Sequence, residues 1–163
     1  MIHAAIHHAS VPHKVLTEMY RVAKIAVLAI EPYDSLLSRL SVRLRFGQTY
    51  EHAAVYCNEC VKGGVMNTAI PNFVYRWTEA EVSKTIHSFE PRFQDEIRFF
   101  HDVQIPWEQL KHRKNPLWHY SGLAMSPILP TIGDLFPCLC NILAFFIKKK
   151  RASKDTLPWL CQD

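Results

Sequence analysis

Apolar positions punctuate this chain. Ile25-Ala26-Val27-Leu28-Ala29-Ile30 runs without polar alternation, which predicts a strand buried on both faces, the usual state of a central parallel strand in an α/β sheet. The run stops at Glu31-Pro32. Proline cannot donate to a sheet ladder, so the strand is expected to end there and to set Glu31, Tyr33 and Asp34 at its carboxyl edge, where open α/β sheets place their ligands. A core strand followed by an ordinary polar turn is the plainer alternative. Before this run, Ile2-His3-Ala4-Ala5-Ile6 reads as the second half of a strand, with His7-His8-Ala9-Ser10 as the loop at its carboxyl end. Ser10 suits a helix cap and Pro12 the first turn. Val15, Met19 and Val22, with Leu16 and Ala23 beside them, then form a helical stripe, so strand, helix and strand make one parallel step.

Beyond the central run, Asp34 or Ser35 can cap a helix whose Leu36, Leu37, Leu40 and Leu44 form the buried face while Arg39, Arg43 and Arg45 point outward; Gly47 is the expected stop. Residues 48–77 follow neither period and carry Tyr50, Tyr56, Phe73, Tyr75 and Trp77, which predicts a functional cap or insertion, or else a pair of short elements without a clear signature. Thr78-Glu79-Ala80-Glu81 is a capping box. Trp77 and Val82 supply the hydrophobic staple of a helix bearing Ile86 and Phe89. Phe93, Ile97, Phe99 and Val103 alternate with polar residues as in a strand covered on one side, closed by Pro106. A short helix over residues 107–114 is expected next, and Ile142 to Ile147 reads as a further buried strand with a charged exit.

Composition adds bounds. At 48% hydrophobic and 21% charged over 163 residues, the chain reads as one globular domain able to bury a core. The net charge of +4 is local, at Lys111 to Lys114 and Lys148 to Arg151, and too small to argue for nucleic acid. The apolar stretch from Leu135 to Ile147 is broken by Pro137 and Asn141 and falls short of the roughly twenty residues that span a bilayer. Five cysteines, an odd number with no signal segment ahead of them, favour free thiols in a reducing compartment, so the expectation is a cytoplasmic protein away from membranes.

Candidate chemistry is sparse. Cys57-Asn58-Glu59-Cys60 has zinc or redox spacing, yet a structural zinc site needs four ligands and the nearest further ones, Cys138 and Cys140 or a histidine, are remote in sequence. No metal is expected there. His7 and His8, at a strand end, can position a substrate or act as a general base, because imidazole titrates near neutrality; a partly exposed loop pair is the alternative. Glu31 is the best single candidate for a polar ligand contact. Tyr33, Tyr50, His52, Tyr56, Tyr75 and Arg76 are candidates for the substrate side.

His7-His8, the helix pattern Leu16-Thr17-Glu18-Met19-Tyr20-Arg21-Val22 and the strand ending Glu31-Pro32 together resemble the carboxyl half of class I S-adenosylmethionine-dependent methyltransferases. The Tyr75-Arg76-Trp77-Thr78 and Leu157-Pro158-Trp159 segments also look like a subgroup of them. The resemblance implies a partial Rossmann-like α/β sheet, with strands equivalent to 4-5-7-6 of the family order 3-2-1-4-5-7-6, and a single truncated domain over residues 1–163. It implies methyl transfer to a small-molecule acceptor, with Ile6, His7 and Glu31 toward the S-adenosylmethionine cofactor and His7 and His8 as catalytic candidates. The family's Gly-x-Gly turn after its first strand has no counterpart among Gly47, Gly63, Gly64, Gly122 and Gly133. Two other functions are therefore weighed: a non-catalytic or vestigial chain that self-associates or pairs with a complementary subunit through the edge of Ile2–Ile6, and a metal or redox module on Cys57 and Cys60.

Overall fold

The computed structural model describes residues 2–45, 47–93, 96–105, 120, 123–124, 126–127 and 129–149. The helix expected over residues 107–114 and the Leu157-Pro158-Trp159 segment lie outside them.

The fold is mixed α/β. Among the described residues its sheet has four strands: β1 (Ile2–His3), β2 (Ala26–Pro32), β3 (Ile97–Asp102) and β4 (Ile142–Lys148), in the spatial order β1-β2-β4-β3. β1 runs parallel to β2, with Ile2 opposite Ala29, while β4 lies antiparallel between β2 and β3. Between β1 and β2 comes α1 (Pro12–Val22), which rests beside α4 (Glu79–Phe89) on one face of the sheet. Leu16 and Tyr20 of α1, Val82 and Ile86 of α4, Trp77, and the inward residues Val27, Ala29, Leu143, Phe145 and Ile147 make one core.

The burial along β2 corrects the expectation for the central strand. Along β2 burial alternates, with Val27, Ala29 and Glu31 buried and their neighbours half-buried, and Ile25 is exposed. The run is apolar throughout because its second face is still partly covered. The strand ends at Pro32 as expected: Pro32 is the last residue of β2, opposite Ile142, and its carbonyl accepts from Trp77 N–H at 2.8 Å.

The first strand is also shorter than expected. After His3 the chain turns at Ala4, whose φ of 46° is unusual for a residue with a Cβ and costs on the order of 1 kcal/mol. Ile6–His8 is a 3-10 turn rather than strand and loop. The edge available to another chain is thus two residues of strand, not Ile2–Ile6. Helix α1 begins one residue later than a Ser10 cap requires; Val11 is its N-cap with no side-chain bond, Pro12 takes the first position, and Val22 faces solvent.

α2 (Leu36–Arg43) is rotated relative to its apolar pattern. Ser35 caps it, accepting from Ser38 N–H at 3.0 Å, and Ser35 and Ser38 are buried while Leu36, Leu40 and Leu44 are exposed. The capping serines turn inward and carry the leucine stripe out. The helix stops before Gly47, with Arg45 taking the left-handed φ of 61°. Residues 48–77 hold α3 (His52–Tyr56), a 3-10 turn at Val65–Asn67, and two bridges, Tyr50 to Phe73 and Tyr33 to Trp77. At α4 the Thr78 hydroxyl accepts from Glu81 N–H at 3.1 Å, and Trp77 and Val82 are fully buried. Glu81 does not complete the capping box: its carboxylate goes to Tyr75 Oη and His13 Nε2.

The apolar stretch from Leu135 divides into the end of α5 (Leu129–Leu135), a 3-10 turn at Pro137–Leu139, and β4. Among the described residues no helix is long and apolar enough to cross a membrane. Lys149 is not a merely solvated exit. Its Nζ donates to the carbonyls of Tyr20 and Arg21 at 3.1 and 2.8 Å and sits over the Tyr20 ring, so it closes the carboxyl end of α1.

Candidate functional site

The register of β2 explains the site. Glu31 falls on the inward face after Val27 and Ala29, at the point where that face meets the turn leaving β1. Its side chain is fully buried. Oε1 accepts from the backbone N–H groups of Ala5 and Ile6, each at 2.9 Å, and Oε2 lies 2.9 Å from His7 Nδ1. The strained turn at Ala4 is what aims two successive N–H groups at one oxygen. Such donors, unpaired at the start of a helical turn, hold a carboxylate well.

His7 is buried between two acids. On its far side Nε2 stands 3.3 Å from Glu51 Oε1. Burial works against its charged form, but the hydrogen bonds and negative charge of Glu31 and Glu51 outweigh it and push the His7 pKa up to about 9. The His7 hydrogen bond correspondingly holds Glu51 below the ordinary carboxylate range, against its own partial burial. His8, partly exposed, brings Nε2 to 3.4 Å from Glu51 Oε2, with its ring centroid 4.5 Å from that of His7. Behind it the amide of Asn72, fully buried, places Nδ2 2.7 Å from His8 Nδ1 and 3.3 Å from Glu51 Oε2; Asn72 Oδ1 has no hydrogen-bond partner among the described residues.

Glu51 also opens onto a cleft of about 560 Å³ whose walls include Pro32, Ser38, Arg76, Gln104 and Asn141. The cleft lies at the carboxyl end of β2. Arg76 donates to the carbonyls of Gln48 and Val74 at 2.6 and 3.2 Å, and burial lowers its pKa despite the nearby Asp34.

Of the residues singled out from sequence, His7, His8, Ile6 and Glu31 meet in one network, Ile6 through its backbone N–H and a buried side chain in the core. Arg76 reaches the adjoining cleft. Tyr50, His52 and Tyr56 form an exposed ring stack, with centroids 5.9 and 6.1 Å apart. Tyr33 packs on His101, and Tyr75 is bound to Glu81 and packed on Trp77. Glu51 and Asn72 escape a sequence reading: both sit in the aperiodic 48–77 segment, and the neighbouring His52 draws attention in place of Glu51. Cys57 and Cys60 are exposed, and the group of three metal-capable side chains among the described residues is His7, His8 and Glu51, with no cysteine in it.

No family model, characterised protein or solved structure matches this chain.

Proposed function

We propose that this chain is the acceptor side of a class I S-adenosylmethionine-dependent methyltransferase acting on a small molecule. The observation that carries the reading is the order and sense of the strands: β1 and β2 parallel, β4 antiparallel between β2 and β3, which is the arrangement that strands 4-5-7-6 of that family would give. The His7, His8 and Glu51 cluster at the carboxyl end of the parallel pair, beside a cleft of small-molecule size, supports it further.

The residues described do not fit the cofactor itself. Gly63 and Gly64 are engaged within their own loop, where a Cβ on Gly64 would stand 1.8 Å from the Ile70 carbonyl oxygen, and neither Gly47 nor Gly133 lies between a strand and a following helix. On this reading the backbone turn that would cradle a nucleoside is not among the described residues and would be supplied by other polypeptide paired along the outer edge of β1. What this chain contributes is acceptor binding in the cleft. There Arg76 and Glu51 supply polar anchors for the acceptor, and Glu51 joins the cleft to the two histidines behind it.

Calorimetry with the demethylated cofactor tests the reading. The isolated chain should not bind it, whereas the chain extended by the in-frame coding sequence that flanks it should bind at micromolar concentration. Failure of the extended protein to bind overturns the proposal.

A further inference from the structure

We propose that His7 Nε2, His8 Nε2 and the Glu51 carboxylate form a binding site for a divalent transition ion of the zinc class, with Glu31 and Asn72 holding the two imidazoles from behind. The inference uses donor atoms alone and stands apart from the methyl-transfer reading.

Spacing is the first argument. The two imidazole nitrogens lie 3.3 and 3.4 Å from the Glu51 oxygens, and one donor atom from each of the three side chains falls within 4.8 Å of the others. A charge-assisted N–H···O bond closes to about 2.7–2.9 Å, as the His7 to Glu31 contact on the other side of the same ring does at 2.9 Å. Donors that share a tetrahedral ion at about 2.0–2.1 Å instead stand roughly 3.3 Å apart. The Glu51 side of the cluster has the spacing of co-ligands when its carboxylate binds through both oxygens, Oε1 beside His7 and Oε2 beside His8.

The outer partners are the second. Metal-bound histidines nearly always give their other ring N–H to a carboxylate or carbonyl, which fixes the tautomer and presents the remaining lone pair to the ion. Glu31 does this for His7: its Oε2 accepts from Nδ1–H and leaves Nε2 facing Glu51. For His8 the counterpart is Asn72. Among the described residues its Oδ1 is an orphaned oxygen on a fully buried residue, beside a ring nitrogen only 2.7 Å from the same amide. Turned over, the amide lets that oxygen accept from His8 Nδ1–H, which frees Nε2 to bind the ion.

The donor set decides the class of ion. Two imidazoles and one carboxylate suit zinc and its neighbours and leave at least one position open, the pattern of reactive rather than closed structural sites. His8 and Glu51 are partly exposed and give an ion a route in, while buried His7 forms the floor. Because Glu51 also lines the cleft, an oxygen of a ligand bound there can occupy the open position, where the ion would polarise it or lower the pKa of a bound water.

The test uses the full chain, stripped with chelator and titrated with Zn²⁺ by calorimetry, with Co²⁺ absorption to report the donors. One ion per chain is expected, without thiolate-to-cobalt charge transfer, and unchanged by Cys57→Ser with Cys60→Ser. His8→Ala and Glu51→Gln should each weaken it by at least about tenfold. These two variants carry the test because both side chains are partly exposed and leave the His7 to Glu31 pair intact; far-UV circular dichroism verifies that each is folded. Absence of saturable binding, binding that survives both folded variants, or binding lost in the cysteine variant would overturn the proposal.

Discussion

Glu31 offers the sharpest check on how this fold is held. Replacing it by alanine orphans two N–H groups, of which that of Ile6 is buried and that of Ala5 partly so, and removes the acid that faces His7 Nδ1. An unsatisfied buried donor costs about 1–3 kcal/mol, and the loss of one member of a buried pair adds to this, so Glu31→Ala should cost about 4 kcal/mol. Against a total stability of about 5–15 kcal/mol for a domain this size, that is a large fraction. Glu31→Gln separates the contributions. Its carbonyl oxygen can still accept from Ala5 and Ile6, while its amide nitrogen meets His7 Nδ1 as a second donor and forces the imidazole to give up that proton; the cost should be about 1–2 kcal/mol. Urea unfolding followed by circular dichroism, in the presence of chelator, measures both. The reasoning fails if Glu31→Ala falls within about 1 kcal/mol of the parent, or if glutamine is as damaging as alanine, because the two N–H bonds would then carry nothing.

Three further outcomes follow from contacts elsewhere. Lys149→Met keeps a stem of similar length over Tyr20 but loses both bonds to the α1 carbonyls, and should lower stability by about 1–2 kcal/mol in the same unfolding assay. Ala4→Gly relieves a φ of 46° and should leave stability unchanged or raise it by up to about 1 kcal/mol, where an ordinary strand position would lose stability. For Tyr75, burial and then the Glu81 hydrogen bond raise the phenol pKa above its ordinary 10.0. The folded state thus favours the protonated form, and the stability this confers is present below pH 10 and is lost as pH rises beyond it. Thermal unfolding between pH 8 and 11 should show a steep alkaline decline that Tyr75→Phe flattens.

The parts of the molecule legible in the sequence are those where one local signal is also the tertiary one. Thr78 caps α4 and Trp77 and Val82 are buried because the cap and staple are fixed by residues a turn apart. β2 and β4 are strands because no helix presents Ala26 to Ile30 or Ile142 to Ile147 to a single side. The misread elements are those where a side chain from elsewhere decided the outcome. Ile2 to Ile6 carries strand residues, but Glu31, more than twenty positions away, collects the N–H groups of Ala5 and Ile6 and bends the segment into a turn. α2 has a leucine stripe fit for a core, yet the Ser35 cap and buried Ser38 set its rotation and leave Leu36, Leu40 and Leu44 in solvent.

The site divides along the same line. His7, His8 and Glu31 are visible because each sits beside an abrupt change of pattern, at the end of an apolar run. Glu51 and Asn72 carry no such mark; α3 is one turn and a half, and the bridge from Tyr50 to Phe73 that holds the two residues near each other is a single pair. It is this unpatterned segment that closes the histidines from the side opposite Glu31, and Glu51 alone belongs both to the cluster and to the cleft. A carboxylate in that position joins the cleft to two imidazoles, so the cluster is assembled from residues that only the folded backbone brings together.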